Sequence, residues 1–262
     1  MKRIAVNNWD ELVKTLEALD GWAFRGEQAP DWDLFSSLSR RLMQYAPDDT
    51  LWRPREERAM RIFRRKAHNY LQDHRVLEDD LRCLAMMQHH GAPTRLLDFT
   101  KSPYVATFFA LEGATDEAAL FALDTPRLWG LAPRFDTTLT RERIDPRLPG
   151  NFDRYFAPNT MPLLWVGEPA EMDRRLIAQS GLFVVPGVLH LTMERILEHY
   201  DPSGDLLMKI VLPASLREQA MRALYRMNIT HATLFPDLDG LARSMAYELE
   251  VLWHAPSAQE RG

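Results

Sequence analysis

The segment that most constrains the fold is residues 77–111, where the chain changes from helix to strand and back to helix with almost no spacer. Residues 77–90 carry a helical apolar pattern, Gly91 is placed as the residue after the helix end, and Pro93 stops any continuation. Residues 95–100, Arg-Leu-Leu-Asp-Phe-Thr, then read as a strand. Ser102 caps the next helix and Pro103 fills its first turn, ahead of Val105, Ala106, Phe108, Phe109 and Ala110. A chain with this grammar belongs to the mixed α and β classes.

The other segments agree. Residues 8–19 predict a helix capped by Asn8, with Glu11 three residues on and Trp9, Leu12, Leu16 and Leu19 at helical spacing. A short strand at 22–26 and a polar turn at 27–33 follow, then a helix through Leu34, Leu38 and Leu42. Residues 55–72 predict a helix crowded with Arg55, Arg58, Arg61, Arg64, Arg65 and Lys66. The plain reading of that run is a solvated face, and the functional one is a groove wall for a polyanion. Residues 118–124 read as a buried strand, and 125–162 as a proline-rich irregular loop or insertion. Strands are expected at 163–166, 182–185, 207–212 and 230–235, and helices at 192–200 and 214–227. From residue 241 the chain reads as helix, although 248–253 also alternates like a strand. Without regular βαβ alternation the class is α+β.

Composition narrows the function. The 262 residues suffice for one large domain, and no apolar run approaches the ~18 residues of a membrane span. The basic start lacks the apolar stretch of a secretory signal. Cys83 is the single cysteine, so neither an intrachain disulfide nor a cysteine-rich zinc site can form. The expected setting is the reduced cytoplasm, away from membranes. A net charge of −5 disfavours a globally basic binding surface and leaves room for a local cationic pocket. Lysine occurs only at 2, 14, 66, 101 and 209, so the cations are almost all arginine, the side chain that grips carboxylate or phosphate with a rigid fork.

Four polar clusters interrupt the apolar pattern. In Phe24-Arg25-Gly26-Glu27 a strand arginine stands beside a glycine, which suits an anionic ligand approaching the backbone, or else a buried Arg–Glu pair. Residues 88–100 concentrate His89, Thr94, Arg95, Asp98 and Thr100; Arg95 and Asp98, three apart on a strand, face opposite sides. Gln179 precedes a glycine turn, where it can orient an amide or a ribose. Asp237 and Asp239 flank Leu238 at a helix start, where either serves as a cap. The chain has no phosphate-loop, G-x-G-x-x-G, H-E-x-x-H or G-x-S-x-G motif, which weighs against the corresponding enzyme classes.

In this order the clusters resemble the FRG domain family, named for its Phe-Arg-Gly signature. The matching pieces are Phe24-Arg25-Gly26, the Gln-His-x-Gly-x-Pro-Thr-Arg-Leu-Leu-Asp-x-Thr stretch at 88–100, and Ser102-Pro103 with Ala106, Phe109 and Ala110. Arg-x-x-x-Gln-x-Gly-x-Phe at 175–183 and Phe-Pro-Asp-Leu-Asp-Gly at 235–240 complete it. The resemblance implies one domain over 1–262 with its core at about 20–245. At a second level the order of elements looks like the ADP-ribosyltransferase fold, a mixed split β-sheet with flanking helices. That likeness implies NAD as substrate, no metal, and transfer to a protein or nucleic-acid acceptor by a toxin or phage-defence effector with a cognate antitoxin or regulator. It would place Arg25 on the NAD diphosphate and Thr100 with Ser102 at the second element. Gly26, His89, Thr94, Arg95, Asp98 and Gln179 would line the same pocket, with Arg95 a structural or phosphate-side partner and Asp98 an orienter of a backbone turn or of Arg25, and Glu248, Glu250 or Asp237 would supply the catalytic carboxylate. Two other readings stand beside it: a nucleic-acid binder or processor using the Arg-rich helix, and a non-catalytic nucleotide or protein-interaction module.

Overall fold

Capping chemistry sets most helix starts. Asn8 Oδ1 accepts the Glu11 amide at 2.9 Å and opens α1 (Trp9–Glu17), Ser36 opens α2 (Ser37–Tyr45), and Ser102 opens the fifth helix. A computed structural model describes residues 1–249. Along the chain come α3 (Trp52–Ala67), α4 (Asp80–His89), α5 (Pro103–Leu111), α6 (Thr125–Trp129) and α7 (Arg174–Ala178). They are followed by α8 (Met193–Leu197), α9 (Arg217–Arg226), α10 (His231–Leu234) and α11 (Leu238–Tyr247). Gly91, at φ +80°, ends α4 as expected: its amide bonds to Gln88 O and that of Ala92 to Met87 O, both at 2.9 Å.

The strands are β1 (Lys2–Ala5), β2 (Ala23–Glu27), β3 (Leu97–Thr100), β4 (Ala118–Leu123), β5 (Leu164–Gly167), β6 (Gly181–Pro186) and β7 (Leu207–Leu212). They form one mixed sheet in the order β1-β7-β4-β2-β3-β6-β5, with only β1 and β7 parallel. The class is therefore α+β. The sheet is continuous, yet its two halves join through a single ladder pair, Phe24 opposite Thr100. Beyond that pair β2 and β3 splay apart.

Apolar residues cover both faces of the sheet. Phe24, Leu120, Ala122, Ile210 and Leu212 pack under α1, α5 and α9. On the opposite face Phe121, Leu123, Phe99 and Val184 pack against α6 and α8. A third cluster joins α3 and α4 to Trp165, Phe183 and Val185, and takes Leu139, Ile144, Phe152, Tyr155 and Phe156 from the proline-rich stretch. Each large side chain so buried contributes about 1.5–3 kcal/mol. The stretch 130–151 is irregular but anchored in this core, and 152–156 forms one π-helical turn.

Three readings change. The expected strand at 230–235 is helix α10, held by a capping box in which Thr230 and Thr233 satisfy each other's amides. The 248–253 alternation continues past α11 as a helical turn at 248–249, and the rest lies outside the described residues. Strand β1 has no counterpart in the sequence reading, because its mostly exposed residues show no alternation. Among the described residues no helix is long and apolar enough to cross a membrane.

Gly26 is a point of very close packing between β2 and α5. A Cβ there would overlap the Ala106 carbonyl oxygen and stand 2.5 Å from the Ala110 amide nitrogen, so glycine lets α5 lie directly on β2. The glycine thus serves helix packing. Gly26→Ala is expected to destabilise the fold by about 3 kcal/mol or more, beyond ordinary overpacking because the clash is with backbone. Urea denaturation measures it, and a loss under ~0.5 kcal/mol would show that α5 can lift at little cost.

Candidate functional site

The splay between β2 and β3 opens a cleft of about 260 Å³. Its floor is Phe24, Arg25 and Gly26 of β2 with Asp98, Phe99 and Thr100 of β3. Helix α4 contributes Ala85, Gln88 and His89, and α5 contributes Ala106 and Phe109. The far wall is Asp173, Arg175, Leu176, Gln179 and Phe183, around α7 and the start of β6.

Arg25 bridges the splay. Its Nε donates to Glu27 Oε1 at 2.7 Å and its Nη1 to the Asp98 carbonyl at 2.9 Å. Glu27 is buried, so the guanidinium is held in one orientation, and Nη2 has no protein partner among the described residues. A smaller cleft of about 210 Å³ lies beside the first, lined by Phe35, Ser36, Ser37 and Leu97, and it shares Arg25, Gln88 and Asp98 with it. Arg25 therefore stands at the junction of two clefts.

The remaining polar groups position one another. Thr100 Oγ1 donates to Gln179 O at 2.7 Å and accepts the Ser102 amide at 2.9 Å. Gln179 Nε2 donates to Leu234 O at 3.1 Å, tying the cleft wall to α10. His89 Nδ1 lies 3.0 Å from Asp173 Oδ2, while Asp173 Oδ1 caps α7 through the Leu176 amide at 2.8 Å. Arg175 stacks on Phe235, 4.5 Å from the ring centre, and makes no ion pair among the described residues. His90, next to His89, is pushed below the usual histidine range by burial first and by the neighbouring imidazole second. Among the described residues no cluster of three histidine, cysteine or carboxylate side chains is placed to hold a metal.

The structure thus gathers Arg25, Gly26, His89, Asp98, Thr100 and Gln179 around one cleft. It does not bring Thr94, Arg95 or Ser102 there. The Thr94 hydroxyl donates to Gln88 and accepts the Leu96 amide, and Ser102 caps α5. Arg95 is fully buried, forked onto the Glu56 carboxylate, with Nη1 donating to Phe156 O at 2.7 Å and Pro186 O at 3.0 Å. The proposed catalytic carboxylates fare no better. Asp237 caps α11 by accepting the Gly240 amide at 2.7 Å, and Glu248 sits at the far end of that helix beside Tyr225. Neither lines the cleft, and Glu250 lies outside the described residues. The carboxylates that do line it are Asp98 and Asp173. Asp173 carried no signal beyond its place one residue before the Arg174-Arg175 pair.

A family model described as FRG domain matches residues 20–119. No curated protein and no solved structure matches the chain.

Arg95 is expected to behave as a structural residue. Arg95→Met leaves the Glu56 carboxylate buried and unpaired, a loss of about 3–5 kcal/mol, whereas Arg95→Met combined with Glu56→Leu removes both charges and recovers part of it. Denaturant titration of the two variants measures this, and equal losses would show that the ion pair itself carries nothing.

Proposed function

With residues 20–119 an FRG domain, we propose that the paired clefts bind NAD and that the protein is an ADP-ribosyltransferase. The observation that carries this reading is Arg25, held rigid at the junction of two clefts with one guanidinium nitrogen unused. A dinucleotide is two nucleosides joined by a diphosphate. Neither cleft alone reaches the ~300 Å³ at which small-molecule pockets begin, but the two flank a single fixed fork. The diphosphate sits on Arg25 Nη2, with Arg175 supplying a second positive charge. One base packs among Phe99, Phe109 and Phe183, and the other nucleoside occupies the side of Phe35.

In the reaction the bond between the ribose C1′ and the nicotinamide nitrogen breaks. The electron pair leaves with nicotinamide, and positive charge develops on the ribose. Asp98, exposed and facing both clefts, supplies the opposing negative charge. The acceptor's nucleophile then attacks C1′ and releases its proton. Arg25 needs no reorganisation, since Glu27 and the Asp98 carbonyl already fix it. The acceptor is a protein or nucleic-acid group, and the biological role is that of a toxin or phage-defence effector.

Two measurements test this. Titration calorimetry with NAD is expected to show binding that weakens about ten-fold or more in Arg25→Lys, which keeps a charge beside Glu27 but loses the fork. Nicotinamide release in the presence of cell lysate is expected to fall about 10²–10³-fold in Asp98→Asn, with NAD affinity little changed. NAD binding without nicotinamide release would leave a nucleotide-binding module. Absence of NAD binding would remove the proposal.

A further inference from the structure

A cavity larger than either NAD cleft lies outside them. It is an apolar groove of about 610 Å³ between α3 and the end of α4. Ile62, Phe63 and Tyr70 form one side, and Met87, Ala92 and Pro93 the other. Tyr70 is 86% exposed, unusual for a tyrosine flanking an apolar depression.

The rim is charged on one side only. Arg58, Arg65 and Lys66 are exposed, and none makes an ion pair among the described residues. Arg55 and Arg61 of the same helix are likewise exposed without an ion pair among the described residues, whereas Arg53 pairs with Glu57, Arg64 with Asp80, and Arg75 with Asp73. Arg58 and Arg65 are seven apart and so stand on one line of the helix, with Ile62 between them and Lys66 alongside. The two acids of α3 do not offset them, since Glu56 is buried on Arg95 and Glu57 is held by Arg53.

We propose that this groove docks an acidic amphipathic helix of a partner protein. The apolar floor suits anchors at i, i+3, i+4 and i+7, and the cationic edge suits carboxylates on the adjoining flank of the same helix. The part of the groove on α3 between Ala59 and Ala67 is about 12 Å long, or roughly two turns of a docked helix. A duplex nucleic acid would use the cations and leave the apolar floor unsatisfied. The proposal does not depend on the NAD reading: of the groove residues only Ala92 also borders the smaller cleft, and Arg58, Arg65, Lys66 and Tyr70 line neither cleft.

The probe is a fluorescent helical peptide of about 16 residues, with leucines at that spacing and glutamates on one flank. Its control is the same peptide with lysine at every glutamate. The full chain is expected to bind the acidic peptide at least about ten-fold more tightly than the lysine peptide. Arg58→Glu combined with Arg65→Glu and Lys66→Glu is expected to reverse that preference, and Tyr70→Ser to weaken both peptides. These positions are exposed, so circular dichroism and thermal melting should match the parent protein, and NAD titration should be unaltered. Equal binding of the two peptides overturns the proposal. So does preferential binding of phosphatidylglycerol vesicles or duplex DNA, or self-association in sedimentation that the triple variant abolishes.

Discussion

The fold turns on a buried ion pair. Arg95 lies just before β3, and its guanidinium makes four hydrogen bonds, two to the Glu56 carboxylate on α3, one to the carbonyl at Phe156 in the proline-rich stretch, and one to the carbonyl at Pro186 closing β6. Four segments far apart in sequence meet on one guanidinium. Taking both charges out of water offsets much of the Coulombic gain, so the pair adds little net stability. Its contribution is specificity: any packing that separates the four segments strands a buried charge or a carbonyl. This also explains how a stretch of 38 residues with little regular structure holds one conformation. Its aromatic residues fill the core beside Arg95, whose guanidinium lies 5.3 Å from the Phe152 ring centre.

From that fixed point the sheet builds outward, and its weakest seam becomes the cleft. β2 and β3 share one ladder pair, so their remaining edges need other partners. Arg25 provides one by reaching across to the Asp98 carbonyl. The Phe-Arg-Gly triplet therefore divides its work by strand alternation. Phe24 and Gly26 face α5, one filling the core and the other letting the helix approach, while Arg25 turns to the opposite side and closes the seam with Glu27 behind it. The alternatives weighed for this triplet, a ligand-binding arginine or a buried Arg–Glu pair, are compatible, since the pairing is what leaves Nη2 fixed and unused.

Local signals were legible and distant ones were not. The Asn8 cap, the Gly91 termination and the Ser102-Pro103 start depend on residues within four positions, and each was readable. Residues 230–235 read as a strand because threonine and phenylalanine favour strands, while the Thr230/Thr233 capping box that decides the matter is a two-residue signal. For Arg95 the sequence left a structural and a phosphate-side role open, because its partner, Glu56, lies 39 positions away inside a run of surface cations. No periodicity distinguishes the one buried carboxylate of that helix from its exposed neighbour Glu57. The carboxylates of the cleft were only half visible, since Asp98 stood in the longest motif whereas Asp173 is recruited from across the sheet by His89.

Local arrangement, and not the sum of charges, decides what this acidic chain attracts. At physiological salt a charge is screened beyond about 8 Å, so the surplus of five negative charges is not felt as a whole by a small ligand in the cleft. There the nearest cations are Arg25 and Arg175 and the nearest carboxylate unpaired among the described residues is Asp98, while Glu27 is already paired and Asp173 is shared between His89 and the Leu176 amide. The same logic holds on α3, where pairing removes Glu56 and Glu57 and leaves Arg58, Arg65 and Lys66 exposed without an ion pair among the described residues. Helix α4 stands between these regions. Ala85, Gln88 and His89 face the cleft, and Met87 and His90 face the groove, because steps of 100° per residue put neighbouring positions on different sides. One ten-residue helix therefore forms a wall of both regions, and the Gly91 turn that ends it shapes the edge of each.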